Sequence, residues 1–186
     1  MRGAEPPSPT VGAASAVTVV GADEQEPGSA RVDIDVDRWC RLATDVLRDE
    51  GRRGELTLTF VDRAEIAALN AEHMGKVGPT DVLSFPLDAL DDEELGDPRS
   101  DEGVPVLLGD VVVCPDVARE QAPEHAGSLD DELALLVVHG VLHVLGHDHA
   151  EASETAAMRA RELELLAAHH WGGPAPTGFR QDHEDD

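Results

Sequence analysis

SLDDELALLVVHGVLHVLGHDH, residues Ser128 to His149, is a helix with both of its ends written into the sequence. Ser128 is a strong N-cap, and Asp130, Asp131 and Glu132 follow in the first turn, where the helix dipole favours negative charge. Leu133, Leu136, Val137 and Val141 recur at the 3.6-residue period of a buried face. Gly146 suits the left-handed residue that ends a helix. A helix of this length, apolar through its middle, has to be packed against something. The rest of the chain must supply that surface.

The same stretch carries chemistry. His139 and His143 stand four residues apart, so they project from one face and can share an ion. After the Gly146 turn the chain can bring His149 back to the same point. Three imidazoles leave a fourth tetrahedral position for water, the pattern of a catalytic zinc site, and such water falls to a pKa of about 7. One Zn2+ per chain on His139, His143 and His149 is therefore expected, although nickel or copper suits the same donors. His147 follows Gly146 too soon to be the third ligand, and Asp148 is placed to orient a ligand imidazole. The spacing H-x-x-x-H-x-x-G-x-x-H is shared with metzincin proteases, which carry Glu directly after the first histidine as general base. Here Gly140 occupies that position, and a peptidase mechanism lacks its proton acceptor.

Working outward, Asp37 is the expected cap of a helix with Trp39, Leu42, Ala43, Val46 and Leu47 on its apolar face, closed by Gly51. A short strand at Val32 and Ile34 is expected before it. Leu56, Leu58 and Phe60 alternate with Thr57 and Thr59 as a half-buried strand. Asp62 and Glu65 resemble a capping box, with Ile66 and Leu69 behind them. Val82 to Phe85 is a short strand between prolines, and Val104 to Cys114 is a β-branched strand in which Gly109 marks a bulge or close backbone approach. Pro115 opens a short helix, and a last helix runs from about Ser153 to His169. The acidic stretch Asp88–Gly103 reads as a loop. Strands alternate with helices first and helices dominate later, giving a single α+β domain: a small mixed sheet covered by helices, with the metal site at the end of a long helix.

Residues 1–30 are rich in Pro, Gly, Ala and Ser and are expected to be a disordered extension; the domain is placed at residues 31–171, with a disordered acidic tail at 172–186. No apolar run is long enough to span a membrane and no secretory leader is evident, which points to the cytoplasm. Cys40 and Cys114 are read as two half-buried thiols. Lys+Arg total 14 against 39 Asp+Glu, a net charge of −25. That balance argues against non-specific nucleic-acid binding, although much of the acid lies in runs outside the expected core.

HGVLHVLGHDH, GPTDVLSFP at Gly78–Pro86 and LLGDVVVCP at Leu107–Pro115 together resemble the YbeY family of bacterial zinc-dependent endoribonucleases, over about Arg31 to Trp171. The resemblance implies cleavage of single-stranded RNA, maturation of the small-subunit ribosomal RNA 3′ end, and a part in ribosome quality control, with ribosomal RNA and the small ribosomal subunit as partners. Its zinc ligands carry over as His139, His143 and His149. Many members have an arginine before the PTDVLSF motif; here Met74 stands in its place, so if that arginine contacts phosphate, Lys76 or another base must substitute or the activity differs. The Lys-poor, Arg- and Ala-rich composition fits an actinobacterial-type member. Asp81 and Lys76 are the candidate catalytic residues. Ser84 and Asp110 are weaker candidates, while Arg52, Arg53 and Arg119 are expected RNA contacts. His73, His125, His169, His170 and His183 read as surface residues. The alternatives are a metallopeptidase-like zinc hydrolase and a non-enzymatic ribosome-assembly factor.

Overall fold

The computed structural model describes residues 17–28, 30–87, 106–147 and 152–181. Four strands, β1 (Val17–Asp23), β2 (Gly54–Phe60), β3 (Val82–Pro86) and β4 (Leu107–Val113), form one sheet in the order β1-β2-β4-β3. β1, β2 and β4 are parallel, and β3 closes the sheet antiparallel to β4. Five helices accompany them: α1 (Val36–Asp49), α2 (Arg63–Leu69), α3 (Pro115–Gln121), α4 (Leu129–Val144) and α5 (Ala152–Leu166). Single π turns extend α2 through Asn70–Met74 and α5 through Ala167–Trp171. This is the α+β layer arrangement the sequence leads one to expect.

α4 organises the molecule. From Glu132 to Leu142 every residue is buried. A helix buried all round is a central helix, not a surface one. It joins α1, α5 and one face of the sheet in a core that includes Trp39, Leu42, Val46, Leu56, Leu58, Phe60, Val111, Val113, Met158 and Leu165. The opposite sheet face packs a smaller cluster of Ile66, Leu83, Val112, Cys114 and Val117. Ser128 Oγ accepts the Asp131 amide at 3.1 Å, so the predicted cap is present.

Three expectations change. The first strand is Val17–Asp23, inside the segment read as disordered, and residues 31–35 are an irregular connection. VTVVGAD gains its partner from β2, more than thirty residues later, a parallel pairing to which local pattern gives no clue. The cap of α1 is Asp35, whose side chain accepts the Arg38 amide, with Asp37 inside the first turn. Residues 172–181 were expected to be free of the domain, yet Phe179 packs on the core with its ring 4.8 Å from that of Trp171. Residues 182–186, the acidic loop and residues 1–16 lie outside the described residues. Both cysteines are unpaired, and burial pushes both thiols up, as in inert structural cysteines.

Candidate metal centre

The last two turns of α4 carry the histidine pair. His139 Nε2 and His143 Nε2 lie 3.0 Å apart, with ring centroids at 4.4 Å. Two neutral imidazole lone pairs held this close need a proton or a cation between them. The other nitrogen of His139 is also engaged: Nδ1 sits 2.7 Å from Glu162 Oε1, and Glu162 is 1% exposed. With Glu162 ionised, the carboxylate only accepts, which assigns the proton to His139 Nδ1 and turns the Nε2 lone pair toward His143. A histidine that donates one ring N–H to a carboxylate and directs the other nitrogen outward is the usual arrangement of a metal ligand. The donor set fits a borderline cation such as zinc. His149, the third expected ligand, and Asp148, expected to orient a ligand imidazole, lie outside the described residues.

Gly140 has a packing reason. A Cβ there would meet Val111 Cγ1 at 2.6 Å, Ser84 Oγ at 3.2 Å and Val82 Cγ2 at 3.3 Å. The helix is thus seated directly on β3 and β4, and Ser84 Oγ donates to Gly140 O at 3.1 Å. The position where a metzincin holds its glutamate points into the sheet here and has no room for a side chain. Ser84 is therefore a helix-to-sheet tie. Gly109 plays the matching part on β4: its φ is 150°, its Cβ would run into Phe85 O, and the β2–β4 register shifts beside it. This is the close approach and bulge expected of it.

The other candidates are dispersed. Asp81 Oδ1 accepts the Val82 amide at 2.8 Å and the Thr80 hydroxyl at 3.2 Å, a turn former at the start of β3. Its charge is felt at Glu132, in the first turn of α4. Lys76 lies on the exposed loop after Gly75, near exposed Met74. Asp110 alternates with Val111, and so faces away from α4. His147 Nε2 is 3.3 Å from Glu50 Oε2, and Glu50 also holds Arg161 Nε at 2.7 Å. Arg119 donates to Asp116, which also pairs with Arg63; α3 joins the beginning of α4, away from the histidine pair at its end. Arg119 is therefore remote from the metal centre it was expected to serve.

Two histidines expected at the surface are half-buried and each meets a carboxylate. The His170 side chain is 6% exposed and shares Asp131 Oδ1 with Trp171 Nε1, at 3.0 and 2.7 Å. Burial works to raise the Asp131 carboxyl, but hydrogen bonds from Ser128, Trp171 and His170 hold it below the usual range. His125 Nδ1 is 3.2 Å from Glu132 Oε1, and the Ala126 amide donates to Glu132 Oε2 at 3.1 Å. Burial pushes the Glu132 carboxyl up and these contacts only partly pull it back.

Sequence reasoning missed Glu162. Its signal was present: Met158, Glu162, Leu165 and Leu166 share the buried face of α5, a carboxylate in an otherwise apolar stripe. A charge on such a face requires a partner.

Comparison with known proteins gives the family and the fold. A family model described as Endoribonuclease YbeY matches residues 24–170. A protein named Endoribonuclease YbeY from Acidothermus cellulolyticus is 48% identical over 141 residues, 74% of this chain and 85% of the relative. One of the same name from Mycobacterium ulcerans is 44% identical over 132 residues, 71% of this chain and 72% of the relative. A solution structure of a Thermotoga maritima protein superposes with a TM-score of 0.50 at 22% identity, covering 87% of this chain and 99% of the other. That likeness speaks to the fold alone.

Proposed function

The chain belongs to the endoribonuclease YbeY family, and from that premise we propose that it is a zinc-dependent endoribonuclease that cuts single-stranded RNA. In this reading it acts in the cytoplasm, in small-subunit ribosomal RNA 3′-end maturation and ribosome quality control. The observation that carries the metal part is the convergence of His139 Nε2 and His143 Nε2 at 3.0 Å, with His139 Nδ1 held by a buried carboxylate. His139 and His143 would hold the ion together with His149. A zinc ion there supplies Lewis acidity and a water acidic enough to give up its proton near neutrality.

The chain's own residues fix that geometry. α4 holds both imidazoles on one face, one turn apart, and the Gly140 contact with β3 and β4 prevents the helix from rotating or sliding. The same contact leaves position 140 without a carboxylate, which separates this site from a peptidase. The test is cleavage of a single-stranded RNA oligonucleotide by extensively purified wild type beside His143→Ala, prepared identically. Wild type is expected to cleave and the variant to fall to background. Equal cleavage by both would show that the activity belongs to a contaminant or to another site.

A further inference from the structure

Beyond the histidines stands a chain of contacts in which each group has its hydrogen-bonding role forced by the next. Glu162 Oε1 faces His139 Nδ1 at 2.7 Å. Its other oxygen, Oε2, accepts from Gln181 Nε2 at 2.7 Å. The same Gln181 amide nitrogen donates to Arg159 O at 2.8 Å. A primary amide nitrogen has two hydrogens, and these two acceptors use both. Gln181 comes from the segment after the Gly172 break, held down by Phe179 against Trp171 and by the Arg180 amide, which donates to His125 O at 3.1 Å.

We infer that Glu162 is a positioning residue for the metal centre, and that Gln181 of the C-terminal strap locks Glu162 in the orientation that makes His139 a ligand. The inference rests on the metal reading above. The carboxylate is 1% exposed and faces a ring nitrogen, so its work is done on the imidazole and not on solvent. By accepting from Nδ1 it selects the tautomer whose Nε2 lone pair is available and fixes the ring plane toward His143. Neutral glutamine at 162 cannot reproduce this. It has one acceptor oxygen, and the carboxylate satisfies two donors, His139 Nδ1–H and Gln181 Nε2–H. If the amide oxygen meets His139, two NH2 groups face one another at Gln181. If the amide NH2 meets His139, Nδ1 must become the acceptor and Nε2 takes the proton, which removes the ligand.

The test uses the full-length, metal-loaded protein and competition for zinc by a chromophoric chelator, with His143→Ala as a control. Orienting partners of this kind affect affinity by about 10–100-fold. Glu162→Gln is expected to hold zinc at least about tenfold more weakly than wild type. Gln181→Ala, which removes no buried charge, is expected to shift affinity in the same direction by a smaller factor. With cobalt in place of zinc, both variants should alter the visible ligand-field bands, and the chelator-stripped proteins should melt close to stripped wild type. If wild type and both variants hold zinc equally, the inference is overturned and the metal centre stands. A stability loss in the stripped variants with unchanged affinity and bands would likewise overturn it, leaving Glu162 a structural residue. If His143→Ala holds zinc as well as wild type does, the metal reading beneath it has failed.

Discussion

Gly140 illustrates how packing alone can fix the identity of a residue beside a candidate site. A glycine inside a helix costs about 1 kcal/mol against alanine, so its presence in the middle of α4 calls for a return elsewhere, and the contact with Val111, Val82 and Ser84 supplies it. Gly140→Ala gains helix propensity but must push the helix off the sheet. A net loss of about 1–3 kcal/mol is expected from overpacking, read by urea denaturation; a stabilised variant would show that the helix-sheet contact is looser than described. Glu132 offers a second test at this scale. Burial raises its folded-state carboxyl above the unfolded value, so the folded chain holds the proton longer. Its contribution to stability is therefore greatest below the unfolded pKa of about 4.3 and declines as pH rises through the folded value. Glu132→Gln removes this dependence, and the stability of the variant relative to wild type should climb from pH 4 to pH 8. A difference that stays flat with pH would contradict the assignment. The histidine pair was legible from spacing alone. Glu162 was less so, because its partner lies 23 residues away in sequence and only folding brings them together.

At the scale of elements, α4, β2, β3 and β4 follow from period, caps and β-branched runs, and the structure agrees to within a few residues. β1 does not, because a parallel edge strand has its partner supplied from across a crossover and its own surroundings look like linker. The C-terminal strap escaped for a similar reason: its Gly-Pro composition reads as loose, yet Phe179 docks on Trp171 and Gln181 on Glu162. The beginning of α4 does double duty here. Asp131 caps the arrangement by accepting from Ser128, Trp171 and His170, and Asp130 makes a two-bonded pair with Arg38 of α1 at 2.6 Å. Asp131→Ala should destabilise the fold by about 1–3 kcal/mol, since it strands donors in partly buried positions. It should also free the strap, visible as faster amide hydrogen exchange in residues 172–181. Unchanged exchange there would mean that Phe179 alone holds the segment.

For the molecule as a whole, the charge is the feature that sits least easily with an RNA substrate. Net charge is −25, and Arg31, Arg38, Arg48, Arg63, Arg119 and Arg161 each pair with a carboxylate of the chain itself. Those arginines are thus already engaged by the chain's own carboxylates, and the net charge opposes phosphate at long range. Binding of a single strand should therefore depend weakly on salt: with about two phosphates neutralised, log affinity falls against log salt with a slope of about −1.4. A slope steeper than about −4 would contradict this expectation and reveal an extensive cationic track. The most direct measurement is the metal content of the purified protein, by elemental analysis, for wild type beside His139→Ala and His143→Ala. One zinc per chain in wild type and almost none in either variant is the expected result. Full zinc content in both variants would contradict a metal centre built on this pair.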